Sequence, residues 1–295
     1  MVNSGEHGGS GGTLPDRTQV LVIGGGIVGA SIAYHLTRRG ITDVTVIEQG
    51  ALTGGTTWHA AGLVSQLKSS HSLTKLATYS TRLFEELEDE TGQATGYRSP
   101  GSISVAADAE RWEEIMRGAT MAASFDVETE VIDMDRAKEL FPLLNTDDLV
   151  GALYIPKDGV TSPVDTTMAL IKGAKGRGAR VIEGVAVTRL VAENERVVGV
   201  ETEQGYIETE TVVLASGIWT RHLAETIGVN VPLHACEHFN IDTDPLEGVE
   251  RGMPPMRAPR VYTKFKQETG KKKSGIDEPL GTECKLDCQP PDFTF

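Results

Sequence analysis

The sequence has few cysteines, few aromatic residues, a shortage of positive charge and no long apolar run. Of its 295 residues only three are cysteine and 5% are aromatic, and 28 lysines and arginines face 42 aspartates and glutamates. A cysteine count this low and odd excludes a disulfide scaffold and favours a reducing compartment. The absence of an apolar run of about 20 residues excludes a membrane-spanning helix. The net charge of −14 argues against nucleic acid and anionic membrane surfaces as partners.

Two of the cysteines have the spacing of half a zinc site. Cys284 and Cys288 are separated by three residues. A structural zinc ion needs four ligands, and no second cysteine or histidine pair at ligand spacing lies nearby. No metal site is therefore predicted.

The first residues of the chain carry no sign of a packed structure. Residues 1–17 are rich in glycine and serine and have no apolar periodicity, which predicts a disordered leader. The segment contains Glu6 and Asp16, and its first arginine is Arg17. A mitochondrial transit peptide is rich in arginine and poor in acids. The leader therefore favours a cytoplasmic protein.

The most informative segment lies between residues 19 and 48. Residues 19–23, Gln-Val-Leu-Val-Ile, predict a strand that is buried on both of its faces. Residues 24–29 follow at once with the glycine spacing G-x-G-x-x-G, and residues 30–39 predict a helix. Residues 44–47 predict a second buried strand, which ends at Glu48. This order of strand, glycine turn, helix, strand and acid is the setting that a dinucleotide-binding motif requires.

Each residue of the motif has a physical task in binding a dinucleotide. Gly24 permits a tight turn, Gly26 lets the backbone approach a pyrophosphate, and Gly29 lets the helix pack closely on the strand. The helix N-terminus offers N–H groups and a partial positive charge to the phosphates. Glu48 follows at the distance of an acid that accepts hydrogen bonds from a ribose. Its negative charge argues against NADP, and the motif alone leaves NAD and FAD open.

The segment that follows identifies a family resemblance. Residues 52–63 contain Gly-Thr-Thr followed by Trp58-His59-Ala60-Ala61-Gly62, and they resemble the flavin loop of the D-amino-acid-oxidase-like superfamily, in particular its dimethylglycine and sarcosine dehydrogenase group. The resemblance extends from about residue 18 to residue 295. Its further matches are residues 86–92, 100–103, 140–145, 154–159 and 212–219. Members in animals are mitochondrial, so the mitochondrial matrix is the alternative location.

The resemblance implies an FAD enzyme that demethylates a small N-methylated amino acid. A hydride would pass from the N-methyl carbon to the flavin, and the sequence does not specify the electron acceptor, so dehydrogenase and oxidase both stay open. The resemblance also implies a covalent bond from His59 to the flavin 8α-methyl group, which would raise the flavin potential. Thr56 and Thr57 would either meet the FAD phosphates or simply form a turn. Ser216 and Gly217 would let the backbone approach the isoalloxazine.

Two residues are expected on the substrate side, where the sequence also departs from the family. His238 matches a histidine that contacts the substrate amine, and a neutral imidazole there would help to hold the amine deprotonated. Tyr262 is the nearest equivalent of a tyrosine that faces the flavin. Lys264 and Phe265 take the places of the family tyrosines themselves. Lysines 271–273 replace an apolar strand, and a triple lysine does not fit a buried sheet.

The predicted fold class is α/β, with a Rossmann-type FAD-binding domain that carries a β-meander and an incomplete mixed α/β substrate domain. The FAD-binding domain is predicted to be discontinuous, from residues 18–67 and 160–230, with the meander within 187–211. Residues 68–159 and 231–295 are assigned to the substrate domain.

The last residues fall inside the family's substrate domain, so a truncated form is expected. The alternative to an enzyme is a non-catalytic flavin-binding homologue, either a regulatory subunit or an inactive remnant. Lys264 and the lysine run favour that alternative.

Overall fold

The computed structural model describes residues 13–236, 240–242, 252–257, 261–265 and 282–286, with backbone only for 240–242, 261–265 and 282–286. No helix among these residues is long and apolar enough to cross a membrane. Two short 3₁₀ helices, at Thr56–His59 and Gly217–Trp219, accompany the α-helices. The α-helices are α1 (Ile27–Arg38), α2 (His71–Thr91), α3 (Ala109–Ala123), α4 (Met134–Leu140), α5 (Pro163–Gly176) and α6 (Thr220–Glu225).

The strands alternate with these helices along the chain. They are β1 (Arg17–Ile23), β2 (Val44–Glu48), β3 (Leu63–Val64), β4 (Ser102–Ala106), β5 (Glu130–Ile132), β6 (Gly151–Ile155), β7 (Gly159–Val160), β8 (Arg180–Glu183), β9 (Val187–Glu193), β10 (Arg196–Thr202), β11 (Gly205–Leu214), β12 (Asn240–Asp242), β13 (Met256–Arg257), β14 (Val261–Phe265) and β15 (Thr282–Leu286).

The described residues divide into two compact units. Unit 1 contains the described residues up to Ala60, together with Leu87–Thr95 and Pro163–Ala235. Its sheet has the order β8-β2-β1-β11-β10-β9, in which β8, β2, β1 and β11 run parallel and β11, β10 and β9 run antiparallel. The α/β prediction of a Rossmann-type sheet with an attached meander is therefore confirmed.

Strand β11 joins the two halves of that sheet. Gly205 to Glu208 pair antiparallel with β10, and Glu208 to Leu214 pair parallel with β1. The strand thus both ends the meander and re-enters the parallel sheet. A single ten-residue strand does both, because each edge of a strand pairs independently of the other.

Strand β1 lies at the centre of unit 1 and is buried on both faces, as predicted. Leu21 and Ile23 join an apolar cluster with strands β2, β8, β9, β10 and β11 on one face. Val20 and Val22 point to the opposite face, because side chains alternate along a strand. Each fully buried valine or leucine stabilises the fold by about 1.5–3 kcal/mol. The position of β1 thereby fixes the turn that follows it.

A buried tyrosine ties three segments of unit 1 together. The Tyr34 side chain on α1 is fully buried, and its hydroxyl donates to Glu90 Oε2 at 2.5 Å. Glu90 also pairs with Arg177, whose guanidinium stacks over the Tyr34 ring. Burial, together with the neighbouring Glu90 carboxylate, raises the pKa of Tyr34 to about 12. The same contacts lower the pKa of Glu90, because the hydrogen bonds from Tyr34 and Arg177 outweigh the opposing effect of its burial.

Unit 2 contains Ala61–Glu86, Gly96–Ser162 and the described residues from Cys236 onward. Its main sheet has the order β12-β15-β14-β13-β4-β6-β5, with a parallel pair at β13 and β4 and antiparallel pairs elsewhere. Strands β3 and β7 form a separate two-stranded ladder. Asp108 and Asp133 begin α3 and α4 by accepting hydrogen bonds from the N–H groups three residues later. This mixed architecture agrees with the predicted α/β composition of the second domain.

Candidate functional site

The turn after β1 accepts glycine alone at its first position. Gly24 has φ +115°, and a Cβ added there would lie 2.3 Å from the Ala215 carbonyl oxygen. Its N–H donates to the Ile47 carbonyl at 2.8 Å, which ties the turn to β2. The predicted role of Gly24 in a tight turn therefore has a clear geometric basis, since both the dihedral angle and the space exclude a side chain.

The other two motif glycines keep α1 close to the turn. A Cβ on Gly29 would lie 1.9 Å from the Gly24 carbonyl oxygen, so only glycine lets the helix approach this closely. At Gly26 an added Cβ would meet Thr57 Oγ1 at 2.9 Å. Gly26 precedes the first residue of α1 and offers no capping side chain. The start of the helix therefore presents backbone to the space in front of it.

The two threonines of the flavin loop differ in their surroundings. Thr57 is buried, and its hydroxyl accepts a hydrogen bond at 3.0 Å from the N–H of Ile27, the first residue of α1. It thus satisfies one of the free N–H groups at the helix start. Thr56 is exposed and lines the cavity described below. Thr57 therefore takes part in the turn while it also lines the cavity, and phosphate contact by either threonine stays a prediction.

Glu48 is held at the end of β2 by backbone donors. The Gly25 N–H donates to Oε2 at 2.7 Å, and the Gly50 N–H donates to Oε1 at 3.0 Å. A carboxylate has about four lone-pair sites, so both oxygens can still accept hydrogen bonds from a ligand hydroxyl. The two backbone contacts fix the orientation of the group toward the cavity that it lines.

These residues surround a cavity of about 670 Å³ inside unit 1. It lies at the carboxyl ends of the parallel strands, where ligands bind in open α/β sheets. The predicted residues Gly24, Gly26, Glu48, Thr56, Thr57, Ser216 and Gly217 all line it. Gly29 lies behind the turn and acts through packing, as expected.

The cavity wall contains little charge. Glu48 and His222 are the titratable groups among its described lining residues, and no lysine or arginine is among them. A pyrophosphate there would therefore be bound by backbone N–H groups and by the partial positive charge at the start of α1. The size of the cavity, its glycine wall and its fixed carboxylate fit the adenosine and pyrophosphate of FAD.

The loop after β11 closes one side of the cavity. The Ala215 N–H donates to the Ile23 carbonyl at 2.8 Å, so the loop is attached to β1. Gly217 has φ +56°, which favours glycine. The Ser216 hydroxyl lies 3.1 Å from the Thr220 hydroxyl, and that contact keeps the serine side chain at the start of α6.

His59 is the predicted point of covalent attachment. It is exposed at the end of the 3₁₀ helix Thr56–His59, and its ring stacks on that of Trp58 with centroids 3.7 Å apart and planes inclined by 33°. It is not among the residues that line the cavity, whereas its neighbours Thr57 and Ala60 are. His59 thus directly precedes a cavity-lining residue, Ala60, in the sequence. Trp58 covers one face of the His59 ring.

The predicted substrate residues lie largely beyond the described part of the chain. His238 is outside the described residues. Tyr262 lies in β14, and its backbone is opposite Arg257 of β13 and Lys285 of β15. Its side chain is outside the described part. Lys264 is two positions along and therefore on the same face of β14 as Tyr262.

Several cavity residues were not anticipated from the sequence. They follow β2, β8 and β11, and the rule that ligands bind at the carboxyl ends of parallel strands would have indicated them. They are Gln49, Gly50, Ala51, Val185, Val187, Thr188, Trp219, His222 and Leu223.

The family assignment agrees with this geometry. Residues 19–269 match the profile of the family of FAD dependent oxidoreductases known as DAO. The chain belongs to this family. The predicted family resemblance and the predicted FAD cofactor are thereby confirmed, and the glycine turn described above lies within the matched range.

The curated relatives of this family member include oxidoreductases and a regulatory subunit. The chain is 40% identical over 268 residues to 4-methylaminobutanoate oxidase (formaldehyde-forming) of Paenarthrobacter nicotinovorans. That alignment covers 91% of this chain and 32% of the relative. It is 39% identical over 250 residues to human mitochondrial sarcosine dehydrogenase, covering 83% and 27% of the two chains. It is also 39% identical over 234 residues to the mouse mitochondrial pyruvate dehydrogenase phosphatase regulatory subunit, covering 79% and 27%. The chain therefore spans about a third or less of the length of these relatives.

A solved structure with the same fold is that of L-proline dehydrogenase from P. horikoshii. Its TM-score is 0.82 at 28% sequence identity, and the match covers 92% of this chain and 70% of the other. This similarity confirms the predicted fold of a family member with a Rossmann-type FAD domain.

Proposed function

We propose that the cavity of unit 1 binds FAD and that the protein oxidises the N-methyl group of a small amino acid. The observation that carries the proposal is the assembly of Gly24, Gly26, Glu48 and Gly217 around one cavity at the carboxyl ends of the parallel strands. The names of two relatives, an oxidase of 4-methylaminobutanoate and a dehydrogenase of sarcosine, support the N-methyl substrate class.

Residues from both predicted segments of the FAD domain, 18–67 and 160–230, would hold the cofactor. Glu48 would accept hydrogen bonds from the ribose hydroxyls with its remaining lone pairs. The backbone at Gly26 would meet the pyrophosphate, with the Thr56 hydroxyl as a further donor. Gly217 would allow the backbone to approach the isoalloxazine.

The chemistry divides between the cofactor and the protein. FAD, when bound, supplies the acceptor for a hydride from the carbon next to the substrate nitrogen. We assign His59 as the covalent attachment point, and its stacking on Trp58 supports this because a covered ring face restricts the orientation of the imidazole. His238 is proposed to accept a hydrogen bond from the substrate amine and so keep its nitrogen lone pair available. Tyr262 is proposed as a second contact on the substrate side.

A second candidate function is a flavin-binding protein without catalysis. The similarity to a regulatory subunit of pyruvate dehydrogenase phosphatase favours it, since that relative is as similar to this chain as sarcosine dehydrogenase is. Lys264, in place of a family tyrosine, also favours it. The two candidates share the cavity of unit 1 and differ in whether a substrate reduces the bound flavin. We place the protein in the cytoplasm, with the mitochondrial matrix as the alternative.

The test is anaerobic flavin reduction by the full chain loaded with FAD. Sarcosine, dimethylglycine and 4-methylaminobutanoate are added separately, and loss of the visible flavin absorption is followed. The proposal expects at least one of these acids to bleach the flavin. A quaternary ammonium acid, whose nitrogen has no lone pair, should leave the flavin oxidised. Readmission of air or of a redox dye then distinguishes an oxidase from a dehydrogenase. Bound flavin that none of the three acids reduces would favour the non-catalytic candidate.

A further inference from the structure

The loop after β2 is held from outside the cavity by a glutamate of the neighbouring strand. Glu48 and Glu183 end β2 and β8 and are paired opposite one another in the parallel sheet. The N–H of Leu52, four residues after Glu48, donates to Glu183 Oε1 at 2.6 Å. Glu183 is exposed and is not among the cavity-lining residues, whereas residues 49–51 of the loop are. Glu183 therefore contacts the loop rather than the cavity.

Two backbone hydrogen bonds join the same loop to the end of β8. The Val185 N–H donates to the Glu48 carbonyl and the Gly184 N–H donates to the Gly50 carbonyl, each at 3.0 Å. These two bonds do not depend on side chains. Substitution of Glu183 therefore removes one attachment of the loop and leaves the other two in place, so the effect of the glutamate can be measured while the sheet is retained.

The attachment point at Leu52 is directly followed by a residue with a strained backbone. Thr53 is buried and has φ +66°, a left-handed conformation that a β-branched residue rarely adopts. Such a conformation persists where the surrounding structure holds it. The bond from Leu52 to Glu183 fixes the backbone one residue earlier, and the Thr53 N–H donates to the Gly25 carbonyl at 3.1 Å. Glu183 is therefore one of the contacts that keep the loop on the glycine turn.

The same loop determines where the Glu48 carboxylate lies. A Cβ added to Gly25 would lie 2.6 Å from Leu52 Cδ2, so the leucine side chain covers Gly25 directly. The Gly25 N–H donates to Glu48 Oε2 at 2.7 Å, and the Gly50 N–H donates to Oε1 at 3.0 Å. Because Leu52 contacts Gly25 and shares the loop with Gly50, a displaced Leu52 would disturb both donors.

We propose that Glu183 is a positioning residue for ribose recognition, because it fixes Leu52 and thereby the two N–H groups that orient Glu48. An ionised carboxylate only accepts hydrogen bonds, and a charged acceptor binds an N–H more strongly than a neutral one. This inference rests on the proposed binding of FAD in unit 1 and adds a residue that lies outside the cavity wall. The competing explanation is that Glu183 only stabilises an exposed loop.

Selectivity for a ribose hydroxyl separates the two explanations. ADP and 2′-deoxy-ADP differ by the 2′-hydroxyl, from which Glu48 is proposed to accept a hydrogen bond. Titration calorimetry measures the binding of each nucleotide to the parent chain, which is the full chain carrying His59→Ala after removal of its flavin. The parent chain is expected to prefer ADP about tenfold, because 2′-deoxy-ADP leaves the charged acceptor without that donor.

The variants test whether Glu183 acts through Glu48. Glu183→Ala is expected to reduce the preference to less than about threefold, and Glu183→Gln, whose amide oxygen can still accept from the Leu52 N–H, keeps most of it. Glu203→Ala removes an exposed glutamate from the turn between β10 and β11 and is the matched control, with an unchanged preference. In a chain that already carries Glu48→Ala, Glu183→Ala should change the preference no further.

The outcomes separate this inference from the assignment of the cavity to FAD. Equal weakening of both nucleotides by Glu183→Ala, with the preference unchanged, would show a general effect on the loop and overturn the proposal. A further change of preference in the Glu48→Ala chain would also overturn it. If the parent chain retains FAD but does not prefer ADP, this inference fails and the FAD assignment stands. If the parent chain retains no FAD, the assignment fails and this inference fails with it.

Discussion

The cavity of unit 1 and the charged cluster of unit 2 are built in opposite ways. The cavity is formed largely by backbone: six glycines and the start of α1, with Glu48 as a carboxylate held by two N–H groups. The cluster in unit 2 is centred on the buried carboxylate of Asp158, which accepts hydrogen bonds from the Ser102 hydroxyl and from the Gln66 backbone N–H. The first suits a ligand with several phosphate oxygens, whereas the second binds a carboxylate of the protein itself.

This difference determines how each site responds to substitution. A site made of backbone depends on the absence of side chains, so adding one methyl group damages it. A cluster centred on a buried charge depends on that charge and on its donors, so an isosteric substitution that removes the charge alters how stability depends on pH. The predictions below use this contrast.

The largest effect is expected from Gly24→Ala in unit 1. The residue has φ +115°, and the new Cβ would lie 2.3 Å from the Ala215 carbonyl oxygen. Backbone strain and overpacking together should lower the free energy of unfolding by about 3 kcal/mol, and FAD binding should be lost. Gly40→Ala is the matched control, because Gly40 has φ +90° and no atom within 4 Å of an added Cβ. Denaturant unfolding and flavin content are measured, and equal losses in both variants would show that the contact with Ala215 is unimportant.

A smaller effect is expected from Glu90→Gln, which weakens the connection between α1, α2 and the turn after α5. The lowered pKa of Glu90 means that its contribution to stability is complete above the ordinary glutamate pKa and is lost as the pH falls through the folded-state pKa. The substitution should lower the free energy of unfolding by about 1 kcal/mol at pH 7, a figure that allows for partial solvent screening, and by less at pH 4. Urea unfolding at the two pH values tests this.

The control for that measurement is Glu88→Gln, an exposed position on the same helix. It should change stability little at either pH. A cost of Glu90→Gln that grows on acidification would contradict the direction of the pKa shift.

Asp158→Asn in unit 2 is expected to show the opposite dependence on pH. The folded-state pKa of Asp158 is raised, so its contribution to the stability of the wild-type chain is complete below the ordinary aspartate pKa. That contribution is lost as the pH rises through the folded-state pKa. The stability of the variant relative to wild type should therefore increase from pH 4 toward pH 7. A relative stability that stays constant over this range would show that the burial of Asp158 does not penalise its charge.

The smallest change in stability is expected from His59→Ala. The side chain is exposed, so the free energy of unfolding should change by no more than about 0.5 kcal/mol. The variant should nevertheless release all of its flavin on acid precipitation, whereas the unmodified chain retains it in the pellet. Flavin that acid already extracts from the unmodified chain would exclude the covalent bond.

The parts of the fold that were predictable are those with a local cause. The strand, turn and helix at residues 19–39 follow from adjacent apolar and glycine residues, although α1 begins at Ile27 because the last glycine of the motif is itself helical. The apolar residues that recur at helical spacing in α2 are only partly buried. Leu83 and Leu87 are buried, but Leu73 and Leu76 are 50% and 61% exposed, because spacing shows which residues share a face and not what covers it.

The same reasoning explains which cavity-lining residues could be predicted. The residues proposed to hold the cofactor in unit 1 lie in one contiguous motif and in loops that follow parallel strands, so their spacing carries the signal. The hydrogen-bonded cluster of unit 2 joins Gln66, Ser102 and Asp158 from separate segments. No local pattern connects them, and only the folded sheet brings their charges together.

The most direct measurement is the flavin content of the full chain after incubation with FAD and removal of the free cofactor. The unmodified chain should retain equimolar FAD, seen as its visible absorption. Gly26→Val should retain none, because the new side chain would occupy the space between the turn and Thr57 where the pyrophosphate is proposed to lie. Gly176→Val, at the end of α5 with no atom within 4 Å of an added Cβ, should retain FAD as the unmodified chain does. Failure of the unmodified chain to retain flavin, or equal retention by Gly26→Val, would contradict the assignment of this cavity to FAD.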